Sequence, residues 1–291
     1  MKTCISTYSY HRLYKNGAFT DFDAIDQTKE FGADGVELLI SEDLVPAEKS
    51  LEEYVRELTE HARSIGLEVP MYTLEDANLL CKDPEAALSR LCRHVDLASA
   101  CGIPRLRFDV TFGYPKDYSV KVWQNVVRDT APYIRRAAEY AEERGVMLCS
   151  ENHGYLMQDS TRLEGLFAAV DHPNYKWLCD VGNFCCADED LAAACGRLAP
   201  MAIHVHAKDC FIRSGMSYDP GKGWLRTRAG NFVRPTVLGH GDVPVFQSLG
   251  VLHRAGYNGF VSIEFEGIEE PSVALQIAMQ NLKRMIGDLK P

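Results

Sequence analysis

Four short apolar runs in the second half of the chain each end in side chains able to hold a cation. They carry Ser150-Glu151-Asn152-His153-Gly154, Cys179-Asp180-Val181-Gly182-Asn183, His204-Val205-His206-Ala207-Lys208-Asp209 and Ser262-Ile263-Glu264-Phe265-Glu266. Alternate side chains of an extended strand share a face, so His204, His206 and Lys208 fall on one side, and Glu264 and Glu266 on one side of the next run. Glu151, Asp180, His206 and Glu264 then form a set of three carboxylates and one imidazole. Such an oxygen-rich set suits octahedral Mn²⁺ or Mg²⁺, or Co²⁺, with water or substrate completing the shell. Charged groups are almost never buried unpaired, and one divalent cation accounts for all three carboxylates together. Thiolate-held structural zinc fits poorly: Cys185 and Cys186 are adjacent with no second CxxC-type pair, and read as packing residues at a helix start.

The elements that must position these residues follow from periodicity. Short apolar runs at 2–7, 35–40, 67–73, 105–110, 146–151, 176–181, 202–207 and 259–265 predict eight strands. Amphipathic patterns near 21–32, 50–65, 84–101, 118–144, 160–170, 187–197, 243–255 and 271–287 predict eight helices between and after them. Gly32, Gly66, Gly102, Gly145 and Gly256 stand where a left-handed residue closes a helix before the next strand. Runs such as VMLCSE and AIHVHA are apolar on both faces, as parallel strands covered by helices require. Eight β/α units without a Pro/Gly-rich linker predict one α/β domain over residues 1–291, a single (β/α)8 TIM barrel. An open doubly wound sheet would carry a Gly-rich phosphate loop after its first strand, and residues 8–17 contain none.

The connection at 209–244 is too long for an ordinary turn. It follows strand seven and so belongs to the C-terminal face, where barrel active sites are built. Its Trp224, Phe232, Arg213, Arg226, Arg228 and Arg234 predict a substrate-covering loop.

Composition sets the outer bounds. With 31 Lys plus Arg against 41 Asp plus Glu the net charge is −10, which repels a phosphate backbone and argues against general nucleic-acid binding. The 10 cysteines mostly lie in apolar strand or helix patterns, as reduced thiols do, and no run approaches the roughly 20 apolar residues of a membrane span. A cytoplasmic location is expected.

With these motifs in hand, the chain resembles the xylose isomerase-like TIM barrels, a superfamily of sugar and sugar-phosphate isomerases and epimerases that also contains endonuclease IV. The likeness runs from Phe31-Gly32-Ala33-Asp34-Gly35-Val36-Glu37 through Glu151-Asn152-His153, Asp180-Val181-Gly182-Asn183 and His206-Ala207-Lys208-Asp209 to Ser262-Ile263-Glu264. It implies one divalent metal on Glu151, Asp180, His206 and Glu264, Mn²⁺ first and Mg²⁺, Co²⁺ or Zn²⁺ as alternatives. It also implies that Glu151 and Glu264 double as proton-transfer groups, and that Glu37 is a strand-two glutamate near the pocket. Two departures stand out. Asn183 occupies the place where ketose 3-epimerases carry a His, which argues against that specificity. Strands three and four end in Met71-Tyr72-Thr73 and Phe108-Asp109-Val110, without the extra histidines of a three-zinc nuclease, so a DNA-repair endonuclease is the weakest reading.

The resulting expectation is a metal-dependent isomerase or epimerase of a sugar, keto-sugar or cyclic polyol, acting by proton abstraction next to a carbonyl. The alternative is a lyase or dehydratase acting on a keto-sugar or inosose with the same metal site. His153, Asn183, Lys208 and Arg213, with Glu37, are the candidate substrate contacts, and His11 is a weaker one. A small-molecule carbohydrate is the implied partner, with no nucleic acid and no membrane; a homo-oligomer is compatible with the fold.

Overall fold

The computed structural model of the chain describes residues 1–14, 17–74, 79–113 and 122–289. Eight parallel strands close into a barrel: β1 (Lys2–Ser6), β2 (Gly35–Leu39), β3 (Tyr72–Leu74), β4 (Arg105–Phe108), β5 (Met147–Glu151), β6 (Tyr175–Asp180), β7 (Ala202–Ala207) and, after an excursion, β11 (Phe260–Ile263), which pairs back onto β1. The surrounding helices are α1 (Asp21–Glu30), α2 (Leu51–Ser64), α3 (Pro84–Ala100), α4 (Val122–Glu142), α5 (Ser160–Val170), α6 (Leu191–Leu198), α7 (Val245–Arg254) and α8 (Pro271–Asp288). This is the expected single (β/α)8 barrel. No helix among the described residues is long and apolar enough to cross a membrane.

Local chemistry marks where most of the helices start or stop. Thr20 with Asp23 and Ser50 with Glu53 form reciprocal capping boxes at α1 and α2, while Asp83, Asp159 and Asp190 cap α3, α5 and α6. The five glycines expected to close helices all have positive φ, from 64° at Gly102 to 93° at Gly256.

Three boundaries differ from expectation. The third strand starts at Tyr72 rather than at 67, because Pro70 has no N–H for the ladder and Glu68 makes only an isolated bridge to Gly35. The helix expected at 187–197 begins at Leu191, preceded by a 3₁₀ turn (Asn183–Ala187) and by Asp188 in the left-handed region at φ 57°. Positions 118–121 of the fourth expected helix lie outside the described residues.

The excursion at 209–244 holds regular structure: β8 (Asp209–Arg213), β9 (Leu225–Arg226) and β10 (Phe232–Thr236) make an antiparallel sheet in the order β8, β10, β9. Two aspartates tie it down. Asp209 accepts backbone N–H bonds from Cys210, Gly239, Gly241 and Val243 at 2.8 to 3.2 Å. Asp188 accepts from the Thr227 hydroxyl, the Ala229 amide and the Asn231 side chain at 2.5 to 2.8 Å.

Strand alternation sorts the barrel interior into layers. Met71, Cys149 and Leu178 form an apolar plug low in the barrel. Two residues further along β5 and β6 the inward positions become Glu151 and Asp180, and on β7 His206 follows the inward His204, so the polar set stands at the C-terminal end of the strands. The outward positions, among them Leu148, Cys179 and Val205, are buried under the helices.

Candidate metal centre and substrate cavity

Glu151, Asp180, His206 and Glu264 each offer a ligand atom, and these atoms lie within 4.8 Å of one another. All four residues are buried. Nδ1 of His206 is 3.6 Å from Glu151 Oε1 and 3.4 Å from Glu264 Oε1. Backbone geometry holds Asp180 in place: the amides of Gly182 and Asn183 donate to its Oδ1 at 2.7 and 2.8 Å, and Asn152 brackets its main chain through Nδ2 and Oδ1.

The donor set fits a divalent cation. Asp180 Oδ2, Glu151 Oε2 and His206 Nδ1 are buried without a hydrogen-bond partner, which is costly unless something else satisfies them. Glu151 Oε2 does lie 2.6 Å from Arg107 Nη2, and Asp180 Oδ2 3.4 Å from Lys208 Nζ, so charge neighbours are present where hydrogen-bond geometry is not. Hard oxygens with one imidazole match Mn²⁺ or Mg²⁺.

Beneath the cluster, Glu37 is fully buried. It accepts from Thr73 Oγ1 at 2.8 Å and faces Nε2 of His204 and of His206 at about 3 Å. Burial pushes the Glu37 carboxyl up, but His206 and His204 outweigh it and hold it well below the ordinary range. Burial works against an imidazolium at His206, yet Glu37, Glu264 and Glu151 raise its pKa well above the usual histidine value. A cation held by this cluster would therefore compete with a proton at Nδ1.

Above the cluster lies a cavity of about 330 Å³. Lys208 Nζ on its wall sits 2.5 Å from Glu264 Oε2, 3.2 Å from Glu266 Oε2 and 3.2 Å from Asn183 Oδ1. Asn183 also donates to Glu151 Oε1 at 2.8 Å. On the opposite side Arg107 reaches Glu151 and, at 2.8 Å, Asp109, which in turn meets His153 Nδ1 at 3.0 Å. Burial opposes protonation of His153, but Asp109 overrides it and lifts the imidazole to about 9. Burial pushes Asp180 up to about 7, with Lys208 opposing and Glu151 and Glu264 adding. Burial would also neutralise Glu151 and Glu264, yet Arg107 holds the first below the usual range, and Lys208 with His206 hold the second well below it.

Of the residues expected to touch a substrate, His153, Asn183 and Lys208 line this cavity. Glu37 does not: it stands one layer lower, behind His206. Arg213 stands away as well, on the outer sheet, its exposed guanidinium stacked 5.0 Å from the Trp224 ring. His11 lines a neighbouring hollow rather than this one. Cys185 packs in the core as expected of a helix-start residue, whereas Cys186 reaches the cavity wall. Arg107, Asp109, Tyr8 and Glu266 are wall residues without an assigned part in the sequence reading; the alternation Arg105, Arg107, Asp109 was the signal available for the first two.

Solved structures share this architecture. A probable 3-DHS dehydratase involved in petrobactin synthesis from Bacillus anthracis superposes with a TM-score of 0.74 at 21% identity, over 97% of this chain and 99% of its own. A D-psicose 3-epimerase from Clostridium cellulolyticum H10, solved with D-tagatose, gives a TM-score of 0.74 at 17% identity over the whole of both chains. A xylose isomerase-like TIM barrel protein from Mycobacterium smegmatis in complex with magnesium gives 0.68 at 16% identity, over 92% of this chain and 89% of its own. Identities this low speak for the fold alone. No curated protein matches the chain in sequence. The family described as xylose isomerase-like TIM barrel, however, matches residues 25–285, a span that takes in all four candidate ligands. With that match laid over a closed eight-strand barrel whose last four strands converge on one acidic cluster, the chain belongs to the xylose isomerase-like TIM barrel family.

Proposed function

We propose that the protein is a divalent-metal-dependent isomerase or epimerase of a sugar, keto-sugar or cyclic polyol. The observation that carries the reading is the convergence of Glu151, Asp180, His206 and Glu264, the first three each with a buried, unpartnered donor atom and the last on the wall of a cavity. A divalent metal bound there would supply Lewis acidity, polarising a substrate carbonyl and the hydroxyl beside it. Glu151 and Glu264 flank that position as carboxylates, so either can take a proton from the carbon next to the carbonyl. Lys208, 2.5 Å from Glu264 Oε2, keeps Glu264 ionised and presents a donor to a substrate oxygen. Returning the proton to the other face of the same carbon gives an epimer; returning it to the neighbouring carbon gives the aldose–ketose isomer.

One observation favours the lyase reading as a second. His153, backed by Asp109 and raised to about 9, is a protonated acid on the cavity wall, and elimination needs an acid at the leaving group as well as a base. Incubating a panel of aldoses, ketoses and inososes in D₂O with the metal-loaded protein, read by NMR, tests both. Deuterium at the carbon next to the carbonyl without loss of water supports the isomerase or epimerase, and an unsaturated product supports the lyase. No exchange with any member, with Mn²⁺ or Mg²⁺ present, overturns both.

A further inference from the structure

A second cavity of about 320 Å³ opens beside the first, and the two share Tyr8 and Leu39 as a common wall. The rest of it is built from the segments after β1 and β2, including Thr7, His11, Tyr14 and Leu44. The rings of Tyr8 and His11 stack on one another, with centroids 4.9 Å apart and planes at 17°, so part of the wall is aromatic.

The polar side-chain atoms of Thr7 and Tyr14 and one ring nitrogen of His11 are spoken for within the protein, while Ser41 adds a half-buried hydroxyl to the wall. Thr7 Oγ1 donates to the Leu39 carbonyl at 2.9 Å and accepts from the Leu39 amide at 2.8 Å. His11 Nδ1 lies 2.9 Å from the Tyr8 carbonyl, and the Tyr14 hydroxyl donates to the Thr7 carbonyl at 3.5 Å. The Tyr8 hydroxyl turns toward Glu266, on the side of the first cavity. Asp43, exposed, is the charged member of the wall. A free sugar, with hydroxyls on every edge, would give up water there for few new hydrogen bonds, whereas a flat apolar ring loses nothing by leaving water.

The surface around the mouth has the same character. Of the eight large exposed hydrophobic residues among the described residues, all but Phe246 and Val273 lie between a barrel strand and the helix that follows it, which is the face where the cavities open. Leu44 belongs to the second chamber; Phe112 and Leu225 line the first.

We propose that the second chamber is a subsite for a planar aryl substituent, so that the substrate is an aryl-substituted sugar or cyclic polyol whose oxygenated part sits over the ligand cluster. This rests on the carbohydrate reading above, and two measurements separate their failures. The first is titration of the Mg²⁺-loaded protein, carrying ¹³C-methyl leucine, with phenol. Saturable shifts at Leu39 and Leu44 are expected, and unmoved signals overturn the subsite. The second is calorimetry with matched methyl and phenyl pyranosides of glucose, galactose, mannose and xylose. At least one phenyl member should bind ten times more tightly than its methyl partner. Leu44→Asp should bring that ratio close to one, while Phe246→Asp, on the outer face of α7, should preserve it. Equal affinities within every pair overturn the subsite and leave the carbohydrate reading standing. Phenol shifts with no binding of any pyranoside overturn the carbohydrate reading and, with it, the two-part substrate.

Discussion

Nε2 of His206 lies 2.9 and 3.0 Å from the two carboxylate oxygens of Glu37, and this contact decides which ring nitrogen faces the ligand cluster. With Nε2 committed to Glu37, Nδ1 is turned toward Glu151 and Glu264. An acidic partner behind a metal-binding histidine fixes its tautomer and raises its basicity. Glu37→Gln should therefore weaken divalent-metal affinity by about 10- to 100-fold, the range found when such supporting groups are lost. Calorimetric titration of Mn²⁺ into the two proteins checks this, and matching affinities would refute the supporting role.

The positioning of Glu37 also marks the limit of what its sequence context discloses. Alternation along β2 gives its face, and the resemblance brings it near the pocket, but its depth depends on how far each strand is staggered around the closed barrel. A similar limit applies to Arg107 and Asp109. The run Arg105-Leu106-Arg107-Phe108-Asp109 alternates polar with apolar, which in an open sheet means a solvent-facing edge. In this barrel the polar face is the interior, where Arg107 meets Glu151 and Asp109. By contrast, Glu151, Asp180, His206 and Glu264 were legible because each ends a run apolar on both faces, so a charged residue there had to be compensated. The outer sheet was not legible, since Pro235 argues against a paired strand. It is tolerated because β9 pairs only with Phe232 and Val233, leaving β10 at an open edge by Pro235.

Metal affinity should fall steeply below neutral pH. Asp180 in the protein without bound cation titrates near 7, burial being the first cause, and must be a carboxylate to bind a cation. His206, whose pKa is raised by Glu37, Glu264 and Glu151, must likewise give up a proton at Nδ1. A cation thus displaces protons, and lowering the pH through 7 favours the protonated, metal-free form. Between pH 8 and pH 6 the Mn²⁺ dissociation constant should rise by at least about tenfold, one proton displaced per tenfold per pH unit being the limiting slope. Asp180→Asn should weaken binding at pH 8 and flatten this dependence. A dissociation constant that stays level across the range would argue against proton competition at the cluster.

Glu264→Gln separates proton transfer from ligation. The amide is nearly isosteric and keeps an oxygen for a metal, but it has no carboxylate to accept a proton. With a substrate identified by deuterium exchange, kcat should drop by about 10²- to 10⁴-fold, the usual contribution of a positioned acid or base, while KM changes far less. Exchange of the substrate proton with D₂O should be lost in parallel. A variant that keeps most of its kcat would remove Glu264 from the proton-transfer step even if metal binding survived.

Asp188 provides the test of the excursion as a cover for the cavity. It holds Thr227, Ala229 and Asn231 with one carboxylate, and the neighbouring Arg228 reaches across to Asp159 at 2.9 Å and to the Tyr155 carbonyl at 3.0 Å. Tyr155 and Leu225 both line the cavity, so this corner of the sheet is tied to the wall that a substrate would meet. Asp188 also has a left-handed backbone at φ 57°, which Asn adopts far more readily than Ala. Asp188→Ala therefore loses three acceptor contacts and gains backbone strain, whereas Asp188→Asn keeps one acceptor oxygen and the backbone conformation. Limited proteolysis between 214 and 231 should accelerate by about tenfold or more in the alanine variant, because leaving the hydroxyl proton of the buried Thr227 without an acceptor costs about 1–3 kcal/mol. KM should rise with it, and the asparagine variant should fall between alanine and wild type in both measurements. Faster cleavage with unchanged KM and kcat would show the sheet to be anchored by Asp188 without serving the cavity, and the covering role would have to be abandoned.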